Sequence, residues 1–248
     1  MAGEWTRSAS FTNPLQCSGE QIMTVLVADV QTIERAEFIK PVDPAELQTE
    51  YLGSLRRLSL DDYHWLIKRG YFERDPILAD PVEFIDGYLT EMSPNHPPHA
   101  STVSRLSELF WLALRGRAVL RTQSPVTLTD QQSEPEPDIA VVKPPQRRYT
   151  RQHPGAEDIH LLCEVADSSL AYDRKLKLDL YARAGIPEYW IVNLNDRVVE
   201  VYRQPVTVGR RAAYQLRLEL LPDQTVAPLA FPDVEIALRD IFPEEEAD

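Results

Sequence analysis

Asp138, Glu164 and Lys177 are the residues whose types and spacing could do chemistry in this chain. Asp138 closes the run Pro135-Glu-Pro-Asp138 and precedes Ile-Ala-Val-Val, which places it at the mouth of a strand. Glu164 interrupts the apolar run Leu161-Leu-Cys-Glu-Val165, where an ionised carboxylate is costly unless it is paired or metal-bound. Lys177 lies on the following helix, where Asp173, Lys177 and Tyr181 recur every four residues and share a face. Asp138, Glu164 and the main-chain carbonyl of Val165 form a set of hard oxygen donors suited to Mg²⁺, with Mn²⁺ as a substitute. An ion so held lowers the pKa of a bound water and stabilises charge on a phosphate. Lys177 would orient the attacking water or offset developing charge. The competing interpretation is structural: Glu164 as the buried partner of a cation, and Asp173 with Lys177 as a surface ion pair.

The elements that must position these residues follow from periodicity and punctuation. Ser59 is placed to cap a helix running to Arg69, with Asp62 completing a capping box and Gly70 ending it. Residues 82–90 read as a hairpin about the Asp86-Gly87 turn. Val103, Leu106, Phe110 and Leu114 mark one face of a helix from His99 to Leu114. Strands are expected at 118–122, 124–129, 138–142, 160–166, 188–193, 198–203, 213–221 and 234–237, with a loop over 144–157 and a helix over 173–184. A strand-helix-strand unit across 160–193 implies two parallel strands, and the hairpins around it imply a mixed sheet. The class is therefore α/β, a central mixed sheet flanked by helices with an N-terminal hairpin region.

Hydrophobic content of 43% and four tryptophans support a packed core. The two cysteines, Cys17 and Cys163, make neither a disulfide framework nor a zinc pattern, and no apolar stretch is long enough to span a membrane. With no secretory leader in view, a cytoplasmic location is the expectation. The net charge of −13 opposes tight non-specific binding of nucleic acid. Much of it is peripheral: residues 1–55 contribute −5 and the tail Glu244, Glu245, Glu246 and Asp248 contributes −4. Residues 1–55 are expected to be a loose or locally helical extension, 56–243 the domain, and 244–248 an acidic tail. The chain has no Gly-x-Ser-x-Gly elbow, no phosphate-binding glycine loop and no histidine pair at metal-binding spacing.

Several short motifs occur in order: Val82-Glu-Phe-Ile-Asp-Gly87, Met92-Ser-Pro94, His99, Gln123-Ser-Pro-Val126, Glu134-Pro-Glu-Pro-Asp138, Glu164-Val-Ala-Asp-Ser-Ser169, Tyr172-Asp173, Lys177 and Tyr181-Ala-Arg-Ala-Gly-Ile-Pro-Glu-Tyr-Trp190. Together they resemble the Uma2 family, also called DUF820, over about Leu58 to Phe242. The resemblance implies a restriction-endonuclease-like fold of the PD-(D/E)xK superfamily, with the site at the strand mouths. It equates the first acid with Asp138 and the second with Glu164. It takes the lysine from the next helix as Lys177, because Ala166 stands where the superfamily pattern has lysine. It adds Glu83 as a further acid near the metal, and leaves His99, Gln123 and Asp173 as candidates at the edge of the site. Tyr88 departs from the second acid that the family often carries there.

The activity so implied is Mg²⁺-dependent hydrolysis of DNA phosphodiester bonds. A homodimer would suit cutting of both strands, and no membrane partner is expected. A non-catalytic nucleic-acid-binding or protein-interaction module that keeps the fold is the alternative, favoured by the acidic charge. A two-carboxylate glycoside hydrolase ranks third, since a lysine at a strand mouth does not fit it.

Overall fold

The computed structural model describes residues 56–74, 82–92, 96–208 and 211–242. The expectations for residues 1–55, for the 93–95 part of the Met-Ser-Pro motif and for the acidic tail lie outside them. Helix α1 (Leu60–Lys68) is capped by Ser59, whose Oγ accepts the Asp62 N–H at 3.1 Å while Asp62 accepts the Ser59 N–H at 3.0 Å. Strands β1 (Val82–Ile85) and β2 (Tyr88–Glu91) form the hairpin. Its turn has positive φ at both Asp86 (51°) and Gly87 (83°), the combination that makes Asp-Gly a two-residue hairpin signal. A Cβ on Gly87 would also lie 2.7 Å from the Arg57 Cβ and 2.9 Å from the Leu58 carbonyl oxygen, so the turn needs glycine for space as well as for φ.

Helix α2 (Pro97–Leu114) begins with proline in its first turn, two residues before the expected start. A six-stranded sheet follows, in the order β3 (Val119–Thr122), β4 (Ile139–Val142), β5 (Ile159–Ala166), β6 (Glu188–Asn193), β7 (Val198–Val208), β8 (Arg211–Leu220). Only β5 and β6 are parallel, and helix α3, spanning 170–183, joins them. Short strands β9 (Thr225–Val226) and β10 (Ile236–Ala237) close the chain, the latter shorter than the 234–237 expected. Odd positions of β4 and β5 (Ile139, Val141, Leu161, Cys163, Val165) face α2 and its Val103, Leu106, Phe110 and Leu114. Even positions (Ala140, Val142, Leu162, Ala166) face α3 through Leu180 and Tyr181. A third cluster packs Leu60, Tyr63 and Leu66 of α1 on Phe84 and Leu89.

The structure corrects three expectations. Residues 124–129 are not a strand of the sheet. Pro125 has no N–H, Val126 donates to the Pro135 carbonyl, Thr127 to Pro154, and the segment turns into a 3₁₀ helix at Thr129–Gln131. The loop over 144–157 contains 3₁₀ turns at Gln146–Thr150 and Ala156–Asp158. The helix expected from Asp173 starts at Leu170 and carries a π turn at Asp173–Lys177 between α-helical pieces Leu170–Tyr172 and Leu178–Arg183.

Candidate active site

β-strand parity brings the two acids together. The antiparallel register pairs Ile139 with Cys163, so Asp138 comes opposite Glu164 one step further along. Both sit at even positions, on the face covered by α3. The Asp138 N–H donates to Glu164 Oε2 at 3.3 Å, and the Val165 N–H donates to Asp138 Oδ2 at 2.8 Å.

The Glu-Pro-Glu-Pro-Asp run explains how Asp138 is held. The N–H of Glu134 donates to the Phe84 carbonyl at 2.6 Å, that of Glu136 to Glu83 Oε1 at 2.8 Å, and that of Asp138 to Glu164. Pro135 and Pro137 fall at the alternate positions and have no N–H to satisfy. The strap therefore ties the hairpin to the sheet and carries Glu83 over the two acids. Within the hairpin, Phe84 points to α1 while Glu83 and Ile85 point the other way, as strand alternation requires.

Helix α3 supplies the cation. The Lys177 Nζ lies 2.9 Å from Glu164 Oε1 and 2.9 Å from Glu83 Oε1, and Tyr181 donates its hydroxyl to Glu164 Oε1 at 2.8 Å. Asp173 accepts the Ser169 hydroxyl at 2.6 Å. Asp173 and Lys177 are both buried, so they do not form the surface ion pair weighed above; Lys177 is committed to Glu83 and Glu164. A π turn re-aims side chains by one extra residue and recurs at functional sites, and here it lies on the stretch that carries both residues.

His99, in the first turn of α2, reaches Asp138 Oδ2 through Nε2 at 3.0 Å, and its Nδ1 is closed off with no partner. Gln123 extends Nε2 to Asp138 Oδ1 at 3.4 Å from a backbone with φ of 43°. All eight residues singled out from the sequence thus converge: Glu83, His99, Gln123, Asp138, Glu164, Val165, Asp173 and Lys177. Sequence reasoning gave no role to Tyr172, whose hydroxyl is 3.5 Å from Glu83 Oε2, to Tyr181, or to Glu136. The four-residue spacing of Asp173, Lys177 and Tyr181 was the signal for Tyr181.

Four buried carboxylates, Glu83, Asp138, Glu164 and Asp173, share this volume with one ammonium. Burial pushes Glu164 well above the usual carboxylate range; Lys177 works against that shift, and the charges of Asp138, Asp173 and Glu83 add to it. Burial works against the Lys177 charge, but Glu164, Glu83 and Asp173 outweigh it and hold the ammonium protonated. Burial also opposes the charge of His99, yet its bond to Asp138 raises it overall. Asp173 is pushed up to about 6, chiefly by burial.

That shift carries a pH signature. Asp173 binds its proton more tightly folded than unfolded, so its contribution to stability is full below the ordinary value of 3.8 and lost as pH rises through about 6. Asp173→Asn should therefore gain on the wild type by about 2 kcal/mol between pH 4 and pH 7. Urea unfolding at the two pH values measures this, and a difference independent of pH would exclude Asp173 as the holder of that proton.

Among the described residues no group of three or more His, Cys, Asp or Glu side chains is placed, as it stands, to hold a metal ion. The donors nevertheless fit a divalent cation. Glu164 Oε2 accepts only the long contact from Asp138 N, and Asp138 Oδ1 only the 3.4 Å contact from Gln123, so each keeps lone pairs for an ion. The excess of buried negative charge is the kind a hard cation offsets.

Comparison with known proteins bears on the fold and the family. A crystal structure described as "a putative nuclease belonging to DUF820 from Anabaena variabilis ATCC 29413" superposes with a TM-score of 0.54 at 17% identity, covering 75% of this chain and 97% of that one. The fold is thus that of a restriction-endonuclease-like protein, with a central mixed sheet flanked by helices. No curated protein matches the chain. Residues 77–239 match the family Uma2, described as "Putative restriction endonuclease". The chain, with about two thirds of its length matched and the fold shared, belongs to the Uma2 family.

Proposed function

We propose that this protein is a metal-dependent nuclease that hydrolyses DNA phosphodiester bonds. The observation that carries the proposal is the meeting of Asp138, Glu164 and the Lys177 ammonium in one buried cluster, with Lys177 at 2.9 Å from Glu164. Asp138, Glu164 and the Val165 carbonyl would hold Mg²⁺ or Mn²⁺, with Glu83 as a further ligand. A divalent ion bound there supplies charge neutralisation and a more acidic water.

The chain's own groups divide the remaining work. Lys177 stays protonated and so cannot act as a base; it fixes Glu164 and Glu83 and presents positive charge to a phosphate oxygen. Glu83 Oε1 is taken by Glu136 and Lys177, which leaves Oε2 as the oxygen able to accept a proton from water. Asp138 is held in one orientation by the Val165 N–H and His99.

Supercoiled plasmid and labelled DNA and RNA oligonucleotides, incubated with Mg²⁺, Mn²⁺ or EDTA, test the proposal. Metal-dependent cutting of DNA is expected for the wild type and none for Asp138→Ala; cutting retained by that variant would sink the assignment. A non-catalytic binding module is the second reading, supported by the net charge of −13 and by the absence of a preformed three-ligand shell among the described residues. It predicts no cutting by the wild type and no metal-linked rise in melting temperature.

A further inference from the structure

Among the described residues, Arg121 is a cation without an anion. It is half-buried on β3, and no carboxylate among the described residues lies within ion-pair distance of it. Its Nε is shut away from solvent with no partner, and burial pushes its guanidinium down from the ordinary arginine value. Arg105, Arg174, Arg183 and Arg203 are half-buried too, and each has an oxygen: the Phe242 carbonyl, Glu200, Asp86 with Asp179, and Glu188. In a chain with 39 acids against 26 bases, a guanidinium left unpaired beside the sheet calls for an explanation.

The contact that Arg121 does make is a donor's contact. One terminal nitrogen lies 3.3 Å from His153 Nδ1. Arginine has only N–H donors, so Nδ1 accepts and the His153 proton sits on Nε2. Burial, the largest influence on His153, favours that neutral ring. His153 lines a cavity of about 800 Å³ whose wall also carries the donors Gln152 and Arg151, with the exposed acids Asp130 and Glu157. The buried carboxylate in that wall, Glu134, is engaged by His64 at 2.9 Å and Thr127 at 2.7 Å.

Register places this group relative to the acids. Arg121 pairs with Ala140, and the Gln123 N–H donates to the Asp138 carbonyl, so Arg121 and Asp138 share the α3 face of the sheet. Arg121 lies on β3 two positions before Gln123, whose side chain reaches Asp138 Oδ1 at 3.4 Å, so the guanidinium and the acids belong to one end of one sheet face.

We propose that Arg121, with the Nε2–H of His153, binds a phosphate anion, and that the anion is a backbone phosphate of nucleic acid beside the one at Asp138 and Glu164. The assignment rests on the nuclease reading for its source of phosphate, and on the unpaired guanidinium for the anion itself. The same chemistry would take a free phosphate, and the experiment separates the two.

Binding of a fluorescein-labelled DNA oligonucleotide is measured by anisotropy, with Ca²⁺ present, over a series of salt concentrations for the full chain, Arg121→Gln and Arg121→Lys. Unfolding midpoints are compared alongside. Arg121→Gln should bind about ten-fold or more weakly, equally for unrelated sequences, with a salt slope smaller by about one. Arg121→Lys should restore the slope and only part of the affinity, because the fork geometry is lost. A structural role alone would leave the salt slope unchanged. If inorganic phosphate raises the wild-type melting temperature but not that of Arg121→Gln, while the oligonucleotide does not bind, the anion site stands and its source is free phosphate. Equal oligonucleotide binding and equal phosphate response in wild type and Arg121→Gln would overturn the inference, as would a wild type that responds to neither. Cleavage is not read out, so failure of the nuclease reading and failure of the Arg121 site give different results.

Discussion

Lys177→Ala is expected to lower DNA cleavage by about 10²–10³-fold and to cost about 3–5 kcal/mol of folding stability at neutral pH. Both effects come from one arrangement. The ammonium is buried, lies 2.9 Å from Glu83 and from Glu164, and among the described residues is the only lysine in a cluster with four buried carboxylates. Removing it leaves Glu83 and Glu164 without their cation, and such a break costs more than the pair contributes. The sign with pH is definite. Glu164 is already held towards its neutral form, so acid that protonates the carboxylates removes the repulsion Lys177 offsets. The stability gap between wild type and Lys177→Ala should shrink as pH falls, in urea titrations followed by far-ultraviolet circular dichroism. A gap that widens in acid would mean that Lys177 is held by something other than these carboxylates.

Glu164→Gln separates metal binding from folding. The amide keeps an oxygen for Lys177 and Tyr181, which donate to Glu164 Oε1 at 2.9 and 2.8 Å. It also removes a buried charge whose pKa burial drives well upward. The metal-free variant should therefore melt at or above the wild-type temperature at pH 7. The wild type should gain about 2.7 kcal/mol from Mn²⁺ at a hundred times its dissociation constant, and Glu164→Gln should lose most of that gain together with cleavage. Isothermal calorimetry of Mn²⁺ with both proteins gives the affinities directly. Equal Mn²⁺ stabilisation of the two proteins would remove Glu164 from the metal site.

Much of this arrangement is legible in the sequence. Local physics decided it: Ser59 and Asp62 make a capping box from side chains three residues apart, and Asp86-Gly87 makes a turn because its backbone tolerates positive φ. The stripe at Val103, Leu106, Phe110 and Leu114 marked the buried face of α2. The unbroken apolar run around Glu164 marked a strand covered on both sides. Residues 124–129 read as a strand because Val126, Thr127 and Leu128 have the right composition. Their hydrogen bonds go instead to Pro135, Pro154 and Ser133, remote segments that composition does not reveal.

By itself, the sequence determined which groups are available: acids ahead of a strand and inside an apolar run, a lysine at helical spacing behind them, and prolines that silence alternate N–H groups. Tertiary structure alone decided their alliances. Lys177 bonds across to Glu83, 94 positions earlier in the numbering, rather than to Asp173 on its own helix. Among the described residues Arg121 is left without an acid, although acids outnumber bases overall. The physical reason is that propensity and capping act within a few residues, whereas the partner of a buried charge is chosen by sheet register and by which face a helix covers.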